Sequence, residues 1–144
     1  MRSTFAILTV ALGLSIGALP LAAHHSFAAE YDAKQTLTLT GTVTKVEWMN
    51  PHAWFYLDVA GKDGKVVNWS CEGANPNALA RRGWRKNSLK AGDKVIVEAY
   101  RAKDGSTTVN ARTITLSDGH KIFAGSSDDG SPTDGTKGDT SRLN

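Results

Sequence analysis

The metal-binding chemistry open to this sequence rests first on four histidines: His24, His25, His52 and His120. His24 and His25 follow Pro20-Leu21-Ala22-Ala23, where small residues close an apolar run. A cut after Ala23 would leave His24 first, with its α-amine and ring nitrogen able to chelate one metal. A further imidazole would complete the tetragonal, all-nitrogen set that Cu(II) favours. A cut after Ala22 would put histidine third, where the amine and two backbone nitrogens close a square plane with the ring. Such chelation is open to many short peptides, and the plainer reading is a solvated pair of histidines. His52, in the turn after Asn50-Pro51, decides between these readings. Held about 2.1 Å from a metal shared with His24 or His25, it would turn a peptide chelate into a protein site. Its plainer role is a ring bonded to a nearby carbonyl. His120, after Asp118-Gly119, is a weaker third candidate. The expected ligands are thus His24, His25 and His52, and the expected metal is copper.

A second set carries a metal-free alternative. Trp54 and Tyr56 alternate against Phe55 and Leu57, which turns one aromatic pair outward as a platform for stacking. Arg81, Arg82 and Arg85, with Lys86 and Lys90, form a basic patch able to meet an anion. Together they suit a small cell-envelope ligand or a protein partner. The plainer reading is that the aromatics cover a barrel's outer surface. Enzyme chemistry finds little support: no carboxylates stand at an acid/base spacing, and no Gly-rich phosphate loop occurs. Cys71 is the one cysteine; it excludes an internal disulfide and reads as a small buried hydrophobe.

These residues need elements to position them. Arg2 precedes an uncharged run of about 15 residues, short of the roughly 20 of a membrane helix. Residues 1–23 therefore read as a cleaved signal peptide, with no stable membrane span after cleavage and a periplasmic or secreted mature protein. The formal charge of +3 is too small to imply a polyanionic partner, and export argues against nucleic acid. Residues 24–123 suffice for one domain, whereas 124–144, rich in Gly, Ser, Asp and Thr, read as a disordered tail.

Within the domain, residues 37–44 alternate apolar side chains with threonine, the period of a half-buried strand. The phase slips at Lys45-Val46, which predicts a bulge and a bend. Residues 53–59 and 66–72 alternate around a Gly61–Lys65 turn and predict a hairpin. Asn75-Pro76 is a helix start and Gly83 a stop. Two more strands follow, over 94–100 and 107–116, and then a short final segment, 120–123. The expected fold is all-β: a five-stranded OB-like Greek-key barrel with one short helix between strands three and four. An antiparallel sandwich is the alternative, and a structure with parallel strands would refute the expected fold. In this picture residues 26–36 are a connector of up to roughly 35 Å. It doubles back along a first strand of about 40 Å, so that the N-terminus meets His52.

Ala23-His24-His25-Ser26-Phe27, Gly41-Thr42-Val43 leading to Trp48, and Asn50-Pro51-His52 together resemble a family of small exported bacterial proteins of unknown function. Asn68-Trp69, Gly83-Trp84 and Leu89-Lys90-Ala91-Gly92-Asp93 continue the likeness over about residues 23–123. The resemblance implies export and a compact β domain, and no particular activity.

Overall fold

Phe55, Leu57 and Cys71 are sealed from solvent, as their alternation with polar neighbours requires, and they fix which face of the hairpin turns inward. The computed structural model describes residues 27–125, with this hairpin as β2 (Trp54–Ala60) and β3 (Val66–Glu72). Around it stand α1 (Phe27–Glu30), β1 (Tyr31–Glu47), α2 (Pro76–Arg81), β4 (Lys94–Ala102), β5 (Thr108–Leu116) and β6 (Lys121–Phe123).

Five strands close into a ring in the order β1-β2-β3-β5-β4, and β6 adds to β5 as a short sixth strand. The chain is an all-β, OB-like barrel. Four of the ring's contacts are antiparallel and the fifth, β3 with β5, is parallel. The parallel contact corrects the expectation that parallel strands would refute such a fold, because the contact follows from counting. Strand directions alternate around a ring, so an odd number of strands leaves one neighbouring pair pointing the same way.

β1 serves both halves of the barrel. It pairs with β4 up to Thr42 and with β2 from Thr42 onward, with a register shift between Val43 and Lys45. The bulge falls where the sequence period slips, and it bends the strand from one partner to the other. Gly41 stands at this bend because a Cβ there would lie 2.5 Å from the Asp58 carbonyl oxygen. α2 begins as expected, with Asn75 Oδ1 accepting from the Ala78 N–H at 2.8 Å. Beyond it Trp84 plugs the barrel, stacked on Phe55 with ring centroids 5.6 Å apart. Its indole N–H donates to the Phe123 carbonyl at 3.1 Å, and Ala74 N–H donates to the Ala124 carbonyl at 2.8 Å. The final segment thus forms a latch across the base of the barrel.

The start of the described chain differs from expectation. Residues 31–36 are no connector: β1 begins at Tyr31, which pairs with Ala102. The polar run Asp32 to Gln35 hides this because it shows no alternation. Asp32 holds it with its own side chain, accepting from Lys34 N–H and Gln35 Nε2, where the register with β4 shifts. A small second cluster, Phe27, Tyr31, Tyr100 and Ala102, packs apart from the main core. Phe27 stacks on Tyr31 at 5.7 Å and meets Tyr100 edge-on at 5.2 Å.

Candidate functional site

Register across four strands builds one row of side chains. Tyr100 pairs with Asn110, Asn110 with Glu72, and Glu72 with Trp54. Partners in register share a face. This face is the outer one, since the adjacent Ala99, Val109, Cys71 and Phe55 fill the interior. Yet Tyr100 is only 5%, Asn110 2% and Glu72 7% exposed. A buried carboxylate on the outside of a barrel needs partners.

Glu72 has them. Tyr31 donates its hydroxyl to Glu72 Oε2, and His52 Nε2 lies 3.3 Å from Glu72 Oε1. His52 Nδ1 sits 3.1 Å from the Gly73 carbonyl oxygen. The loop that carries His52 is pinned to the end of β3: Ala53 N–H donates to the Ala74 carbonyl and Gly73 N–H to that of Ala53. Burial foremost, then the hydrogen bond and the negative charge of Glu72, hold the Tyr31 hydroxyl protonated well above the usual tyrosine range.

The ring nitrogens of His52 constrain the chemistry. A carbonyl only accepts, so Nδ1 must carry the proton of that hydrogen bond. In the neutral ring Nε2 then presents a lone pair to a carboxylate oxygen. Two acceptors at this separation require a positive charge between them, either a proton or a metal cation. Donating Nδ1–H to a carbonyl is also how metal-binding histidines are commonly oriented. Among the described residues no group of three or more His, Cys, Asp or Glu is arranged to hold a metal.

His24 and His25 lie outside the described residues. His52 keeps the carbonyl bond of its plainer reading and adds Glu72. His120 does not join it: it follows Leu116, the far end of β5, and Leu116 itself stands six residues past Asn110, about 20 Å at strand rise. Trp54 and Tyr56 do share the outer face, half-buried. The Tyr56 hydroxyl, however, donates to Glu47 Oε2 at 2.8 Å, and Lys45 Nζ sits 5.3 Å from its ring centroid. Arg81 and Arg85 are exposed. Arg82 turns inward, donating to the Gly125 carbonyl at 2.6 Å with its guanidinium 4.7 Å from the Phe123 centroid, which divides the basic patch. Burial pushes the Cys71 thiol up to about 12, consistent with a small hydrophobe.

Glu72 and Tyr31 are the residues that sequence reasoning missed. A signal for Glu72 existed: a hairpin turning over 61–65 pairs Trp54 with Glu72, two residues from His52. No local signal marks Tyr31, whose partner is 41 residues away.

Residues 12–111 match a family described as "Family of unknown function (DUF6152)". No curated protein matches the chain. Among solved structures, the mitochondrial single-stranded DNA binding protein of S. cerevisiae is similar at 14% identity and a TM-score of 0.46. That likeness covers 58% of this chain and 93% of the other. The exclusion of nucleic acid argued above is corrected by this finding: export concerns location and says nothing of what the barrel's surface accepts.

Proposed function

The chain belongs to DUF6152, a family of unknown function, and we propose that it is an exported, non-enzymatic binding protein for copper. In this reading the metal is held by His52 together with the mature N-terminal histidines, His24 and His25. The observation that carries it is the posture of His52. Nδ1 is tied to the Gly73 carbonyl at 3.1 Å, which leaves Nε2 as the coordinating atom, turned toward a buried carboxylate. Sequence distance supports the N-terminal half of the reading. Only Ser26 separates His25 from Phe27, and the Phe27 ring packs on Tyr31, whose hydroxyl reaches the same carboxylate. A site at the first loop of an OB-like barrel, beside the β2–β3 face, also lies where such barrels commonly bind ligands.

The test is a Cu(II) titration of the mature chain with its native start, of the same chain with one extra N-terminal residue, and of His52→Ala. Mass spectrometry of the exported protein fixes that start. The reading expects one tight site, weakened by the extension and by His52→Ala. Binding indifferent to both changes overturns it.

A further inference from the structure

We infer that Glu72 is a ligand of the same metal, with Tyr31 as the residue that positions it; the inference rests on the metal-binding reading above. Three observations meet here. First, His52 Nε2 and Glu72 Oε1 face each other at 3.3 Å with the Nδ1 proton already committed to a carbonyl. Metal–ligand bonds of about 2.0–2.1 Å place two donors about 2.9 Å apart at a right angle and about 3.4 Å apart at the tetrahedral angle. The observed separation of 3.3 Å falls between these edges, so it is compatible with one cation bound by both atoms.

Second, the carboxylate is aimed. Tyr31 donates to Oε2 and so leaves Oε1 as the oxygen turned to His52. A hydrogen-bonded carboxylate with one oxygen presented to the site is how outer-shell partners orient metal ligands. Third, Asn110, in register with Glu72 across the β3–β5 contact, buries a side-chain oxygen that finds no hydrogen-bond donor among the described residues. Such an acceptor suits a water in the coordination sphere. The resulting donor set mixes imidazole nitrogen with carboxylate oxygen, and it differs from the all-nitrogen chelate that an N-terminal peptide forms by itself.

Copper affinity, the visible ligand-field band and the electron paramagnetic resonance spectrum of the mature chain test this, with Glu72→Gln, Glu72→Asp and Tyr31→Phe as variants. Glu72→Gln is expected to weaken Cu(II) binding and to move both spectra toward those of a peptide of residues 24–28. Tyr31→Phe, which leaves every ligand in place, is expected to weaken binding by about 10–100-fold with a smaller spectral change. Glu72→Asp keeps the charge while shortening its reach, and thermal unfolding confirms that each variant is folded. Wild-type binding with spectra and affinity unchanged in folded Glu72→Gln and Glu72→Asp overturns the inference and leaves the His52 reading standing. Absence of wild-type binding overturns both.

Discussion

Cys71 and Glu72 are neighbours on β3, both withdrawn from solvent, yet their surroundings differ. Cys71 faces into the barrel among Phe55, Val109 and Ala111. Nothing there requires a direction, and burial alone raises its pKa. Glu72 faces outward and is surrounded by polar groups that fix each of its oxygens: Tyr31 on one, His52 on the other. Burial on the inner face is a matter of volume and burial on the outer face a matter of pairing. The first tolerates any apolar side chain of similar shape; the second specifies atoms. That difference is why the outer row, and not the larger core, is the place to look for function.

The strongest way to separate the two faces is to damage each in turn. Phe55→Ala opens a cavity under Trp84 and should cost about 3–5 kcal/mol, read from the urea midpoint of a cooperative transition. A loss below about 1 kcal/mol would show that the Phe55–Trp84 stack is not central to the core. On the outer face Tyr31→Phe removes one hydrogen bond to a charged group and should cost about 1.5–3 kcal/mol in metal-free protein. An unchanged midpoint would break the claim that pairing holds this face.

Alkaline pH probes the inner residue. The folded Cys71 thiol ionises near 12, against about 8.5 in an unfolded chain. Its contribution is complete below about pH 8.5 and is lost as pH rises, because the unfolded state releases its proton first. Relative to Cys71→Ala, the wild type should therefore lose stability between pH 8.5 and 10. At pH 8 a thiol reagent should label Cys71 only on addition of denaturant. Rapid labelling of native protein would contradict the burial.

The smallest effect belongs to a polar cluster left open to water. Glu98 accepts from Thr113 Oγ1 at 2.7 Å and from Lys121 Nζ at 3.0 Å, and these partners lower its carboxyl pKa. Stability from a lowered pKa is present above the unfolded value, about 4.3, and lost as pH falls through the folded one. Lys121→Ala should cost a few tenths of a kcal/mol at pH 6, as exposed pairs do, and nothing measurable at pH 2. A cost above about 2 kcal/mol would erase the contrast with Tyr31.

The sequence by itself determined whatever depends on near neighbours. Alternation at Phe55, Leu57 and Cys71 set the inner face, the slip at Lys45-Val46 located the bulge in β1, and Asn75-Pro76 with Gly83 bracketed α2. These signals were legible because side-chain period, capping and turn geometry act over a few residues. His52 was legible as a candidate for the same reason, standing in a turn rather than in a strand pattern. What the tertiary structure decided was ring closure and everything that follows from it. Closing the sheet order β3-β2-β1-β4-β5 into a ring brings β3 beside β5, and that contact puts Asn110 beside Glu72. The start of β1 at Tyr31 was invisible because residues 32–35 hold their shape through Asp32 and not through alternation. The pairing of Tyr31 with Glu72 spans 41 positions, and no local preference reaches so far. Whether a polar residue on an outer face is solvated or sealed depends on which distant strand lies over it, and only the closed barrel supplies that.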